Sequence, residues 1–142
     1  MTGRVSLLLG AVALVAGAVA VRLLAGGDDA GETVAAGTPM VQVVVPELSG
    51  DEARGRDLFG ASCASCHGEN AAGRAAIAPP LVHLVYEPGH HADGAFVLAA
   101  ARGVRQHHWT FGDMPAVPGV SPQDVAAITA YVRALQRANG IY

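Results

Sequence analysis

The sequence predicts an all-α domain of three to four helices, preceded by an N-terminal apolar helix. Three observations support this fold class. An uncharged apolar run fills residues 5–21, later segments begin with residues typical of helix N-termini, and the one strand-like segment, residues 40–46, has no partner strand elsewhere. Because a single strand cannot form a sheet, the helical segments have to build the folded domain.

The N-terminal helix, within residues 1–25, is predicted to be a signal anchor or a signal peptide. Residues 5–21 would span about 26 Å as a helix at ~1.5 Å per residue, close to the ~30 Å hydrocarbon core of a bilayer. A signal peptide would be cleaved after Ala18-Val19-Ala20, whereas an anchor would continue through Arg22, whose long side chain can reach the membrane interface. The length of the apolar run favours the anchor. Either interpretation exports the rest of the chain.

Residues 26–46 are predicted to link this helix to the folded domain. Residues 25–39 combine glycine, alanine, threonine and acidic residues without periodicity, which is typical of a flexible linker. Residues 40–46 (MVQVVVP) are interpreted as an extended lead-in that packs on the domain. The folded domain is therefore expected to occupy residues 47–142.

Three segments of this domain carry helix start signals. Ser49-Gly-Asp-Glu52 fits a capping box at the start of a helix that runs into the two cysteines. Asp93 is expected to cap a short helix that ends at Gly103. Ser121-Pro122 is expected to start the last helix as N-cap and first helical residue. Its predicted apolar face consists of Val125, Ile128, Tyr131, Val132 and Leu135.

Composition and charge exclude several classes of protein. The length of 142 residues fits one domain of ordinary size. The nine basic residues are all arginine and the net charge is −3, which excludes nucleic-acid binding through a basic surface. A hydrophobic content of 51% excludes a disordered chain, and two cysteines are too few for a disulfide-rich scaffold. The position of those cysteines is therefore more informative than their number.

The two cysteines belong to a C-x-x-C-H motif, which is typical of covalent haem attachment: residues 62–67 read SCASCH. Because Cys63 and Cys66 are three residues apart, one helical turn carries both thiols on the same face, where they can bond the two vinyl groups of one porphyrin. His67 follows directly and can bind the iron. A zinc site would need two further ligands, and a redox dithiol would need a βαβ context. The sequence therefore predicts one covalent haem c.

Met114 is the candidate for the second axial ligand of the iron. Met1 is the initiator and Met40 lies before the predicted domain, so Met114 is the one methionine after the haem motif. A thioether favours ferrous iron, and Pro115 stiffens the loop that would present it. Met114 as a filler of the core is one alternative. Ligation by a second histidine is another, with the candidates His83, His107 and His108.

From Leu48 to Ala138 the chain resembles the class I c-type cytochromes. The N-terminal helix of that family carries a glycine and, four residues later, a phenylalanine, which Gly55 and Phe59 match. Its C-terminal helix carries an aliphatic residue and, three residues later, an aromatic one, which Ile128 and Tyr131 match. The resemblance implies that these helices cross in contact. It also implies a cytochrome c-like fold of three to four helices around one covalently bound haem.

The resemblance further implies how the iron is held and what the protein does. Pro79, twelve residues after His67, would accept the Nδ1–H of the haem histidine through its carbonyl, and Met114-Pro115 matches the distal methionine of the family. The implied function is the transfer of single electrons between membrane or periplasmic redox proteins, without a small-molecule substrate. The implied partners are a dehydrogenase or bc-type donor and an oxidase or reductase acceptor.

The sequence departs from this family in its charges, because it has no lysine, whereas many family members dock their partners through a ring of lysines. The docking surface is therefore expected to be apolar, to complement acidic residues, or to use arginines. The candidate arginines are Arg54, Arg56, Arg74, Arg102 and Arg105.

Trp109, Arg105 and two histidine pairs are the remaining candidate residues. Trp109 and Arg105 can donate hydrogen bonds to a haem propionate, although Trp109 can equally be a core residue. The pairs His90-His91 and His107-His108 can form a second metal site for copper or zinc, or can simply lie in exposed loops. Two further functional hypotheses follow. One is a haem-based ligand-binding or catalytic protein with an open iron position, and the other is a copper-handling accessory cytochrome that uses the paired histidines.

Overall fold

The computed structural model describes residues 34–142, and this part of the chain is helical and contains no β-strand. The all-α prediction is therefore confirmed. The predicted N-terminal apolar helix and the first part of the predicted linker, up to residue 33, lie outside the described residues. Within residues 34–142, none of the helices has the length and apolarity that crossing a membrane requires. The helices are α1 (Gly50–Ser62), α2 (Ala64–His67), α3 (Asp93–Arg102) and α4 (Pro122–Ala138), with 3-10 turns at Glu69–Ala71 and Leu84–Tyr86.

The core forms where α1 crosses α4. Gly55 of α1 lies so close to α4 that a Cβ at this position would be 1.9 Å from the carbonyl oxygen of Ala127. One turn further along α1, Phe59 packs against Tyr131 with ring centroids 5.6 Å apart. Both rings are almost fully buried, with exposed fractions of 2% and 1%, and Ile128 belongs to the same core. The crossing predicted through these residues is confirmed.

The start of α4 also follows the prediction. Ser121 is the N-cap and Pro122 is the first helical residue. The Ser121 hydroxyl accepts a hydrogen bond from the amide of Asp124 at 3.1 Å, and the Asp124 carboxylate accepts one from the Ser121 amide at 3.3 Å. This reciprocal pair is a capping box, which satisfies amides that would otherwise lack partners at the helix start. The predicted apolar face is buried throughout: Val125, Ile128, Tyr131, Val132 and Leu135.

Two predicted sets of side-chain capping hydrogen bonds are absent, and arginines of α4 bind the carboxylates involved. Ser49 is the N-cap of α1, but its side chain makes no capping hydrogen bond, and Glu52 instead accepts one from Arg137 at 2.9 Å. Asp93 is the first residue of α3 rather than its cap, and its carboxylate accepts a hydrogen bond from Nε of Arg133 at 2.8 Å. Tertiary ion pairs thus replace the local hydrogen bonds that the sequence pattern predicts.

The described residues before α1 belong to the same compact unit as the helices. The amides of residues 40–41 donate hydrogen bonds to the carbonyl of Ala72 at 3.0 and 3.2 Å. The side chain of Asn139 binds both the amide and the carbonyl of Val44, each at 2.9 Å. The predicted packing of the lead-in, residues 40–46, on the domain is therefore present.

The variant Gly55→Ala tests the helix crossing. Its methyl group would meet a backbone carbonyl, so we expect the free energy of unfolding of the haem-loaded protein to fall by at least about 2 kcal/mol in a denaturant titration. Gly60→Ala is the matched control, because Gly60 lies on the same helix and a Cβ added there would have no heavy atom within 4 Å. This control should gain about 0.5–1 kcal/mol from the better helix propensity of alanine. Equal effects of the two substitutions would contradict the close contact.

Candidate haem-binding site

An apolar cavity of about 450 Å³ lies between α1, α3, α4 and the loops that connect them. This volume is within the range of about 300–1,000 Å³ typical of cofactor sites. Phe59 and Ile128 of the helix crossing form part of its wall. The structure brings most of the predicted site residues to this cavity. Those that line it are Cys63, Cys66, His67, Pro79, Trp109 and Met114.

Both cysteines line the cavity and follow directly after the end of α1. The helix stops at Ser62, Cys63 leaves the helical backbone, and the chain turns again in α2. Burial and the neighbouring Cys66 raise the pKa of Cys63 to about 11. Redox-active cysteine pairs have lowered pKa values, so this environment does not favour a redox dithiol. Among residues 34–142, neither cysteine belongs to a group of three or more side chains that could hold zinc.

The backbone orients the imidazole of His67. Its Nδ1 lies 2.9 Å from the carbonyl oxygen of Pro79, and because this oxygen can only accept, Nδ1 donates. Nε2 therefore carries the lone pair and can bind iron. Burial lowers the pKa of His67, while the hydrogen bond to Pro79 opposes this effect. The neutral imidazole that metal binding requires is thus the favoured form. This is the hydrogen bond that the family resemblance implies.

Met114 is held at the cavity by a backbone bridge. Val104 and Met114 exchange two hydrogen bonds, each 2.9 Å long, which close the loop formed by residues 104–114. Gly103, where α3 ends as predicted, has a φ of +74°, and a Cβ there would lie 2.4 Å from the Met114 carbonyl oxygen. Glycine meets both demands because it has no Cβ and tolerates positive φ. The position of the Met114 backbone is therefore fixed by the fold.

Trp109 offers an unsatisfied hydrogen-bond donor inside the site. Its indole Nε1–H is buried and has no hydrogen-bond partner. The ring contacts His83 edge-on at 5.1 Å and stacks on Phe111 at 5.8 Å. Burial raises the pKa of the Tyr86 hydroxyl and the nearby Trp109 N–H opposes this rise, but the two groups do not meet in hydrogen-bond geometry. An unpaired buried donor costs about 1–3 kcal/mol, which a haem propionate at this position would recover.

Arg105 does not line the cavity with Trp109. Its side chain is exposed, and the arginine that lines the cavity is Arg102, in the last turn of α3. The sequence predicts for Arg102 only a role in docking a partner. The sequence signal that could have revealed its place at the cavity is the helical spacing. Arg102 comes three residues after Ala99, so the two residues share the face of α3 that lines the cavity.

The histidines proposed as alternative iron ligands have other contacts. His107 and His108 line the cavity, whereas His83 does not. Nδ1 of His107 lies 2.8 Å from a backbone carbonyl, and Nε2 of His108 lies 3.2 Å from Nε2 of His90. The structure thus places Met114, His107 and His108 at the same cavity, and Met114 as the second axial ligand stays a prediction.

Comparison with known protein families agrees with this site. The family model described as Cytochrome c matches residues 52–136, which is more than half of the 142-residue chain. The matched range contains the cysteine pair, His67 and Met114. No curated protein and no solved structure gives a match to this chain.

The variant Trp109→Phe tests whether the indole N–H donates to haem. If it does, we expect the haem-loaded protein to lose about 1.5–3 kcal/mol in free energy of unfolding, the cost of a lost hydrogen bond to a charged group. The measurement is a denaturant titration followed by absorption of the haem. A phenylalanine variant as stable as the wild type, or more stable, would contradict the hydrogen bond to haem.

Proposed function

The chain belongs to the cytochrome c family, and on this premise we propose that it is a monohaem electron carrier with His/Met-ligated, low-spin iron. Haem c, when bound, supplies an iron that alternates between the ferric and ferrous states. The observation that carries the proposal is the convergence of four candidate residues on one cavity: Cys63, Cys66, His67 and Met114.

Each of these residues has a distinct part in the proposed carrier. Cys63 and Cys66 would form two thioether bonds, which prevent loss of the cofactor. Nε2 of His67 would bind the iron from one side, with its tautomer set by the Pro79 carbonyl. The thioether of Met114 would bind from the other side and raise the reduction potential relative to a second imidazole. Because backbone hydrogen bonds hold both ligands, they need to move little when the charge of the iron changes.

The rim of the cavity has the features of a docking surface for another redox protein. Ile77 and Leu98 line the cavity with exposed fractions of 38% and 54%. Arg102 lies at the same rim, and in the part of the chain that the structure describes neither Arg102 nor Arg105 forms a salt bridge. The other candidate arginines have contacts within the domain: Arg54 with Asp124, Arg56 with Asp57 and Arg74 with the Ser65 carbonyl.

An apolar patch with Arg102 at its edge fits a partner with an apolar and acidic docking surface. In the proposed role, the donor is a dehydrogenase or a bc-type complex and the acceptor is an oxidase or a reductase. The sequence supports a site of action on the outer side of the cytoplasmic membrane, with residues 1–25 as anchor or signal peptide.

The mass of the intact mature protein tests the two interpretations of the N-terminus. The length of the apolar run leads us to expect an uncleaved chain that carries the mass of one haem. A chain that begins at Val21 would instead show cleavage after Ala20 and release into the periplasm. A mature chain without the added mass of haem would contradict the proposed carrier.

The variant Met114→Ala tests the proposed ligation. We expect the ferric wild-type protein to show a sulfur-to-iron charge-transfer band and the ferrous protein to exclude carbon monoxide. Met114→Ala should lose the band, bind carbon monoxide and have a lower reduction potential, because a thioether ligand favours ferrous iron.

Met40→Ala is the matched control, since Met40 lies in the extended segment before α1 and does not line the cavity. It should keep the band and the potential of the wild type. High-spin wild-type iron that readily takes up carbon monoxide would contradict the carrier and support a ligand-binding haem protein.

A further inference from the structure

Four imidazoles from two separate segments converge at the rim of the haem cavity. His90 and His91 precede α3, and His107 and His108 lie in the loop formed by residues 104–114. The ring of His108 lies 5.1 Å from that of His90, 5.3 Å from that of His91 and 4.3 Å from that of His107, measured between centroids. The proposed electron carrier uses none of these side chains, so their convergence requires a separate explanation.

Three of the four imidazoles bring their nitrogen atoms together. The candidate ligand atoms of His90, His91 and His108 all lie within 4.8 Å of one another. The Nε2 atoms of His90 and His108 are 3.2 Å apart. Two nitrogens that bind one tetrahedral ion at about 2.0–2.1 Å are about 3.3 Å apart, so this spacing fits a shared metal ion.

A turn explains how two adjacent histidines contribute to one cluster. In an extended segment, neighbouring side chains point to opposite sides, so two adjacent histidines rarely bind the same ion. Here the amides of His90 and His91 both donate to the carbonyl of Glu87, at 3.1 and 2.8 Å, so the chain bends at this point. The bend places both rings on the side of His108.

The tautomer of His91 suits a metal ligand. Its Nδ1 lies 2.6 Å from the carbonyl oxygen of Val85, and it must donate because a carbonyl only accepts. The lone pair is therefore on Nε2. A hydrogen bond from the second ring nitrogen to a backbone carbonyl is the usual support for metal-binding histidines.

Both segments are held in place by the fold. Arg133, with an exposed fraction of 7%, donates to the carbonyls of His91 and Tyr86, the latter at 2.6 Å. The loop with His108 is closed by the backbone bridge at Met114 and by a hydrogen bond of 2.9 Å from the Gln106 amide to Asp113. A site that is ordered before the ligand arrives does not lose affinity to the ordering of its own segments.

We propose that His90, His91 and His108 form a binding site for a divalent transition-metal ion, with Cu²⁺ as the preferred occupant. Imidazole nitrogens are suited to copper, zinc and nickel, and among the divalent ions of the first row Cu²⁺ forms the most stable complexes with such ligands. The cluster contains no carboxylate, so it is a poor site for Mg²⁺ or Ca²⁺. Three protein ligands leave a fourth position for water or another donor.

The position of this site couples it to the proposed haem. His91 and His108 line the wall of the haem cavity, and His108 shares its loop with Met114. A bound dication at this rim favours the reduced iron, which carries one positive charge less than the oxidised iron. Metal binding should therefore raise the reduction potential of the haem. By linkage, the reduced protein should bind the metal more tightly than the oxidised protein.

The direct test is a titration of the haem-loaded protein, purified without a histidine tag, with Cu²⁺ and Zn²⁺. In this form the cysteines and His67 are bound to the haem and cannot take up the added ion. We expect one equivalent of either metal, tighter binding of Cu²⁺, nitrogen hyperfine structure in the copper electron paramagnetic resonance spectrum, and a higher haem potential with redox-inert Zn²⁺.

Substitution of each ligand by glutamine completes the test. His90→Gln, His91→Gln and His108→Gln should each weaken Cu²⁺ binding by at least about 10-fold, since changes even outside the ligand set cost that much. His107→Gln is the matched control, adjacent to His108 in the same loop but outside the group of three. It should bind Cu²⁺ much as the wild type does. His90 and His108 are exposed, so their variants should retain the haem spectrum and stability even if His91→Gln does not.

Three results would overturn the proposal. The wild type could bind no stoichiometric metal, His107→Gln could lose as much affinity as His108→Gln, or Zn²⁺ could leave the haem potential unchanged. None of these results bears on the electron carrier, which depends on His67 and Met114, so the failure of either proposal can be recognised separately.

Discussion

The backbone contact between Gly55 and Ala127 is the constraint on which the rest of the structure depends. It brings α1 and α4 close enough for Phe59 and Tyr131 to pack, and thereby fixes the direction in which α1 ends. The cysteine pair lies at this end, so the helix crossing aims the haem attachment motif at the cavity. A side chain at residue 55 would separate the helices and displace the motif at the same time. The stability of the fold and the binding of the cofactor thus both depend on the contact between Gly55 and Ala127.

The haem cavity and the protein core have side chains in common. Phe59 and Ile128 of the helix crossing also line the haem cavity, so the same side chains serve the protein core and the cofactor. A domain of this size buries limited apolar surface, and a ligand that binds only the folded state stabilises it through mass action. Covalent attachment makes this contribution permanent. The apolar wall and the unpaired Trp109 N–H are both consistent with a fold completed by its cofactor.

The features that sequence patterns predicted correctly are those set by local spacing. The cysteine pair and the start of α4 depend on residues within one or two helical turns, and the spacing of Gly55 and Phe59 is likewise local. Failures occurred where distant groups compete. The carboxylates of Glu52 and Asp93 fit local caps, but α4 presents an arginine to each of them. The spacing of residues along one helix does not indicate which charged side chains a second helix places beside it.

The loop formed by residues 104–114 connects the two proposed metal centres. One bridge of two backbone hydrogen bonds closes it, and the loop then carries the His108 imidazole, the Trp109 indole and the Met114 thioether to one region. Because Gly103 adjoins this bridge without room for a Cβ, the loop cannot shift at Met114 without disturbing the end of α3. An ion that binds His108 would therefore contact a segment that also carries Met114, the proposed haem ligand. The two proposed centres thus share one loop, which a single backbone bridge closes.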